Sequence, residues 1–232
     1  MRLHANLPYR MYGPINIVEI KNALINLDSK LWQLDTTRQD DPQTPHQQTN
    51  SIILQYCFGE PEIDKNFWQE DWVKKSMPDI KSGQIEIDKR LRKRSTEKTF
   101  IKDIEQIEER IVDSELNFLT KSLTKELEKK FKGVSALVLF TKLPANKAIE
   151  KHTDPGYYLS VVHRLHIPII TNDKCYFNID NNIVNMKEGY LYELNNQLEH
   201  SVQNDGEIDR IHLIVDIIPN KLIGQIKTKA FI

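Results

Sequence analysis

Arg164-Leu165-His166-Ile167-Pro168-Ile169 and Arg210-Ile211-His212-Leu213-Ile214-Val215-Asp216 repeat one pattern, Arg-apolar-His-apolar. On an extended strand successive side chains point to opposite faces, so each stretch has one apolar face and one face carrying its Arg and His. In an open sheet that second face would simply be wet. Here the two stretches lie among other metal-binding residue types: His152-Thr153-Asp154 precedes the first, and His200 lies between them. A His and an Asp two residues apart on a strand share a face and can grip one ion, with His200 as a third ligand. Two imidazoles and one carboxylate on one triangular face of a metal, with the opposite positions open, suit Fe(II). His152, Asp154 and His200 are therefore the candidate triad.

Outward from this stretch the pattern is that of a β protein. Strands are expected at Val134–Phe140, Tyr157–Ile170, Cys175–Ile179, Tyr190–Leu194 and Arg210–Ile218, separated by turns such as Asn178-Ile179-Asp180-Asn181-Asn182 and Asn204-Asp205-Gly206. Many short strands after a helical preface point to a double-stranded β-helix, or jelly roll, buttressed by helices on one face. The fold class is thus mainly β with a helical N-terminal half. A single domain over 1–232 is expected, with 1–132 mostly helical and 133–220 the jelly-roll core.

In the first half, Pro14 opens an expected helix in which Ile17, Ile20, Leu24 and Leu27 recur at helical spacing up to Trp32. Asp35 to Asn50 has no periodicity and reads as a surface loop, from which Arg38 and His46 could reach a substrate. A strand follows at Ser51 to Phe58. Trp68 and Trp72 stand at helical spacing and read as packing residues. The basic run Lys89, Arg90, Arg92, Lys93, Arg94 reads as a solvated face, since Glu105, Glu108 and Glu109 follow closely. From Ile101 to Leu127 apolar residues step by three and four, giving one amphipathic helix or two broken near Asp113-Ser114, stopped by Gly133.

Composition excludes several classes. The 232 residues suffice to bury a core, and 39% hydrophobic with 28% charged residues is ordinary for a soluble globular protein. A formal net charge of -1 gives no global field to attract nucleic acid or an anionic membrane. Two cysteines, Cys57 and Cys175, make neither a disulfide scaffold nor a paired zinc site, and a reducing, cytoplasmic setting is expected. The N-terminus lacks the apolar core of a signal peptide, and no window reaches the roughly 18 apolar residues of a membrane span. No membrane or nucleic-acid partner is expected.

Residues from about Leu137 to Pro219 resemble the aspartyl/asparaginyl β-hydroxylase family, which includes cis-proline hydroxylases. The matching features, in order, are His152, the pair Arg164 and His166 on one strand, Glu188-Gly189 before a strand, His200, and Arg210 in Arg210-x-x-Leu213-Ile214-Val215-Asp216. The resemblance implies a double-stranded β-helix binding Fe(II), with 2-oxoglutarate and dioxygen as co-substrates. It also implies that His152 and His200 are iron ligands and Arg210 pairs with a 2-oxoglutarate carboxylate. Arg164 and His166 would help hold co-substrate or substrate. Peptidyl-aspartate hydroxylases of the family lack the triad carboxylate, whereas this chain has Asp154, as the proline hydroxylases do. They also carry an Arg where this chain has Val162.

The expected activity is hydroxylation of a free amino acid such as proline, or of a peptidyl Asp or Asn, coupled to oxidative decarboxylation of 2-oxoglutarate. Neutral imidazoles and one carboxylate leave three positions on the ion, two for 2-oxoglutarate and one for dioxygen. The alternative is a non-catalytic jelly-roll binding or sensing domain with a structural or degenerate metal site, since one architecture hosts many functions. His163, facing away from Arg164, reads as structural or exposed, and Asp216 as structural. His212 shares a face with Arg210 and reads as a support of the site.

Overall fold

A computed structural model describes residues 7–36, 39–40, 44–57, 107–154, 159 and 162–220. Arg38, the aromatic segment with Trp68 and Trp72, the basic run at 89–94 and residues 101–106 lie outside the described residues.

Eleven strands, two α-helices and one short 3-10 helix (Ser29–Gln33) are described: β1 (Tyr9–Pro14), α1 (Val18–Ile25), β2 (Asn50–Cys57), β3 (Ile107–Glu109), α2 (Ser114–Phe131), β4 (Gly133–Leu143), β5 (Lys147–His152), β6 (His163–Ile170), β7 (Cys175–Ile179), β8 (Asn182–Val184), β9 (Tyr190–Leu194), β10 (His200–Asn204) and β11 (Arg210–Pro219). They form a seven-stranded sheet in the order β1-β9-β6-β11-β4-β2-β3 and a four-stranded sheet β5-β10-β7-β8. Every described pairing is antiparallel, and from β4 onward the chain passes back and forth between the sheets except at the β7–β8 hairpin, which is the jelly roll expected from the sequence.

Strand alternation decides what each face of the larger sheet meets. Leu165, Ile167 and Ile169 of β6, with Leu213, Val215 and Ile217 of β11, pack outward with Leu24, Trp32, Leu116 and Leu127. A second cluster, including Leu143, Phe177, Ile179, Tyr192 and Val202, lies between the sheets. The intervening residues Arg164, His166, Arg210, His212 and Asp216 take the inner face. The repeated Arg-apolar-His motif is therefore buried inside the roll, with His166, Arg210, His212 and Asp216 each at most 5% exposed.

Several expectations for the first half are corrected. Pro14 ends an edge strand, β1, rather than opening a helix; Pro14 pairs with Tyr190, and the helix begins at Val18. An edge strand tolerates the missing N–H of proline. Ile107–Glu109 is a strand paired with β2, so the apolar spacing from Ile107 to Asp113 is not helical. The described part of 1–132 thus adds three strands to the larger sheet as well as its helices. α2 starts at Ser114 because the Asp113 side chain accepts the Leu116 amide at 2.8 Å as an N-cap. Lys132, at φ 51°, adopts the left-handed turn that ends it. Gly133 is needed for another reason: a Cβ there would lie 2.4 Å from Ile217 Cγ2 and from the Ile218 carbonyl oxygen.

Beneath the helices, Tyr12 donates its hydroxyl to Glu193 Oε2 at 2.5 Å, and Glu193 Oε1 lies 2.6 Å from His163 Nδ1. His163 is thus structural and buried, which decides between the two readings of it as structural or exposed. Burial, reinforced by the Glu193 carboxylate, pushes the Tyr12 phenol up to about 12 from its ordinary 10.0. The unfolded chain then loses this proton first, so the contribution of neutral Tyr12 is complete below pH 10 and declines as pH rises toward about 12. Urea unfolding across that range should show stability falling less steeply in Tyr12→Phe than in the wild type; parallel pH dependences would contradict this.

Candidate metal centre

Two strands of the smaller sheet bring the histidines together. β5 ends at His152, β10 begins at His200, and these two residues are directly paired, with ring centroids 4.3 Å apart. Each ring is fixed by the same local device. His152 Nδ1 lies 2.6 Å from the Glu150 carbonyl oxygen and His200 Nδ1 lies 2.9 Å from that of Leu198. A carbonyl only accepts, so Nδ1 carries the proton and donates it, and Nε2 holds the free lone pair that a metal requires. Burial also keeps His200 neutral, lowering its pKa despite the nearby Asp154 carboxylate. His152 Nε2 is buried and has no hydrogen-bond partner among the described residues.

Asp154 follows His152 beyond the strand end and is held by its backbone. Its amide donates to the Asn196 carbonyl at 3.0 Å, and its carbonyl accepts from Gln197 Nε2 at 2.9 Å. One carboxylate oxygen, Oδ1, faces His152 Nε2 at 3.6 Å; the other, Oδ2, accepts from Arg164 Nη1 at 2.5 Å. Burial alone would raise this carboxyl, but the Arg164 guanidinium, with His200, His152 and His46 nearby, holds it well below the usual range. It is ionised and presents one oxygen toward the histidines.

Arg164 also grips Asp216, donating from Nε to Oδ1 at 2.9 Å and from Nη2 to Oδ2 at 2.7 Å. The β6–β11 register sets Arg164 opposite Asp216 and makes this fork possible. Arg164, expected to hold co-substrate or substrate, thus spans the triad carboxylate and Asp216. Sequence reading took Asp216 as structural without finding this role, because the partner is fixed only by cross-strand register.

A second polar group lies deeper between the sheets. Arg210 is 1% exposed, sits over the Phe177 ring at 4.9 Å, and its Nε and Nη1 have no hydrogen-bond partner among the described residues. Burial lowers it to about 10, so it stays charged at neutral pH. His212 stacks on Phe177 with centroids 5.4 Å apart, and His166 meets both rings edge-on. Burial, then the Arg210 charge, pushes both histidines well below their ordinary pKa. Neither ring nitrogen of either histidine has a partner among the described residues. A buried cation beside two neutral imidazoles is costly to leave unpaired and suited to an anion.

One residue at the centre was not expected as a ligand. His46, placed by sequence on a loop that could reach a substrate, offers a ligand atom that lies, with those of His152 and Asp154, within a mutual 4.8 Å. The sequence gives no sign of this, since the contact joins segments about a hundred residues apart.

An antiparallel jelly roll that gathers two histidines and a carboxylate at the end of β5 and the start of β10 defines a candidate metal-binding barrel. Residues 113–219 match the family model described as Aspartyl/Asparaginyl beta-hydroxylase. That segment includes His152, Asp154, Arg164, His166, His200 and Arg210 and excludes Arg38 and His46. No curated protein matches the chain. Among solved structures, it is similar to an oxidoreductase of the 2OG-Fe(II) oxygenase family from Burkholderia pseudomallei (10% identity, 88% of this chain and 90% of that one, TM-score 0.39). A predicted oxalate decarboxylase from Thermotoga maritima is also similar (20% identity, 40% of this chain and 73% of that one, TM-score 0.30), as is a cupin domain from Bordetella pertussis (16% identity, 35% and 79%, TM-score 0.29). No helix among the described residues is long and apolar enough to cross a membrane.

Proposed function

We propose that this protein is an Fe(II)/2-oxoglutarate-dependent hydroxylase acting on a free amino acid or on a peptidyl Asp or Asn. The reading rests on one observation above others: two Nε2-presenting histidines and an ionised Asp154 share the barrel with a buried Arg210 whose Nε and Nη1 have no partner among the described residues. The donor set fits Fe(II), because neutral imidazoles and one carboxylate bind it and leave positions open. When bound, the iron with 2-oxoglutarate and dioxygen supplies oxidation of a substrate C–H bond, with decarboxylation of 2-oxoglutarate to succinate.

The residues of the chain supply position, charge and dryness. His152 and His200 hold their tautomers through backbone carbonyls, so no reorganisation is needed when a metal arrives. Arg164 fixes the rotamer of Asp154 and neutralises part of its charge, and is itself fixed by Asp216. Arg210 offers a planar guanidinium for the remote carboxylate of 2-oxoglutarate, while His166 and His212, kept neutral, line the space without adding charge. Asp154 favours a member with the full triad, such as the proline hydroxylases. With Arg164 occupied by two carboxylates, substrate recognition falls to other residues. Arg38 remains a proposed substrate contact.

Incubating the protein with Fe(II), 2-oxoglutarate and a panel of free amino acids and short Asp- or Asn-containing peptides tests this. Succinate release should depend on added Fe(II), and one substrate should gain the mass of one oxygen. Stoichiometric iron binding with no 2-oxoglutarate consumption across the panel would instead favour a binding or sensing domain.

A further inference from the structure

His46 belongs to none of the family-matched segment, yet its turn is built against the centre. The His46 amide donates to Thr44 Oγ1 at 3.3 Å, and its carbonyl accepts from both the amide and the hydroxyl of Thr49, at 2.9 and 2.7 Å. Thr49 is buried, and β2 begins at the next residue. On the other side, Ala148 of β5 donates its amide to Gln48 Oε1 at 3.2 Å. The turn is thus fastened both to its own strand and to the strand that ends in His152. The His46 ring meets the His152 ring edge-on with centroids 5.0 Å apart.

We propose that His46 is a fourth ligand of the resting metal centre, which then holds three imidazoles and one carboxylate. The inference rests on the metal-centre reading above. Its geometric basis is that the ligand atoms of His46, His152 and Asp154 lie within 4.8 Å of one another, close enough to converge on one ion. A neutral imidazole adds no charge, so a divalent ion with Asp154 keeps a net positive charge that still attracts an anionic co-substrate.

Coordination number gives the consequence. Four protein ligands on a six-coordinate ion leave two positions, whereas a bidentate 2-oxoglutarate and dioxygen together need three. His46 would therefore be the ligand to yield: His152 and His200 sit on paired strands and Asp154 is clamped by Arg164, whereas the turn of His46 is fastened through its backbone and Gln48, which leaves the imidazole side chain to move. His46 holds one position of the resting site and yields it as the co-substrates arrive. This is a ligand exchange, with no change in oxidation state.

Anaerobic titration with Co(II), without 2-oxoglutarate, tests the inference in wild type, His46→Ala, His46→Gln and His200→Ala, following the visible d–d bands and the affinity. Both His46 variants should bind Co(II) at least about tenfold more weakly than wild type, with altered bands. Adding 2-oxoglutarate should then bring the wild-type spectrum close to that of His46→Gln. Circular dichroism identifies any variant that fails to fold, and His46→Gln, of similar polarity, stands in for His46→Ala if needed. Unchanged affinity and superimposable spectra in the His46 variants, with cobalt binding lost in His200→Ala, would overturn His46 as a ligand and leave the triad intact. Undiminished binding in His200→Ala would overturn the triad and this inference together.

Discussion

Arg210→Met should be more stable than the wild type in the absence of co-substrate, and should no longer be stabilised by 2-oxoglutarate. Arg210 is almost fully buried, stays charged, and has Nε and Nη1 without partners among the described residues. A surface ion pair worth at most about 1 kcal/mol is therefore not the relevant comparison. Leaving a buried charged group unpaired costs at least about 1–3 kcal/mol, and a methionine of similar length over Phe177 removes that cost while keeping much of the packing. The co-substrate reverses the balance. Removing one partner of a desolvated charge pair costs about 2–5 kcal/mol, a rise of roughly 30-fold or more in the apparent constant for 2-oxoglutarate. Arg210→Lys should recover part of this, since it keeps the charge but loses the planar fork. Denaturant unfolding with and without 2-oxoglutarate and Zn(II) measures both effects. A destabilised Arg210→Met that still responds to 2-oxoglutarate would show that Arg210 is a packing residue.

The second large effect belongs to Asp154. Asp154→Ala should lose iron affinity and turnover by more than the about 10–100-fold typical of residues that merely support a ligand. It should also destabilise the metal-free protein, because Arg164 would lose the partner of its Nη1 while remaining tied to Asp216. Removing one member of a buried ion pair costs about 3–5 kcal/mol, and Arg164 keeps a second carboxylate, so the lower end applies. Asp154→Asn separates the two effects: it keeps an oxygen for Arg164 but loses the negative charge that the metal needs. Turnover unchanged in Asp154→Gly would place the chain with the two-histidine members of the family, in which this position carries no ligand.

Most of the jelly roll was legible where strands carry apolar runs or a buried alternating face. Cys175–Ile179 and Tyr190–Leu194 were bounded correctly, and the expected strands at Val134, Tyr157 and Arg210 overlap β4, β6 and β11. The strands that carry the two histidines were not legible. β5, Lys147–His152, is mostly solvent-facing, and β10, His200–Asn204, is short and polar, so neither shows an apolar run. Spacing and residue type single out their histidines and Asp154; the structure pairs His200 with His152 and sets Asp154 Oδ1 3.6 Å from His152 Nε2, while the three residues whose ligand atoms lie within 4.8 Å of one another are His46, His152 and Asp154. The unread parts are long-range. Arg164 meets Asp216 only through the β6–β11 register, and His46 meets His152 only because Gln48 fastens its turn to β5. At Pro14 the helical spacing that follows was correctly seen but extended too far back, into an edge strand.

The central claim is that one centre, built from His152, Asp154 and His200, holds Fe(II) and accepts 2-oxoglutarate as a chelate anchored by Arg210. Anaerobic titration of the protein with Fe(II) and then 2-oxoglutarate tests it most directly through the weak visible charge-transfer band of that chelate. The band should appear and saturate at one equivalent of iron, vanish in His200→Ala, and require far more 2-oxoglutarate in Arg210→Ala. Iron bound at full stoichiometry with no band at any 2-oxoglutarate concentration would contradict it.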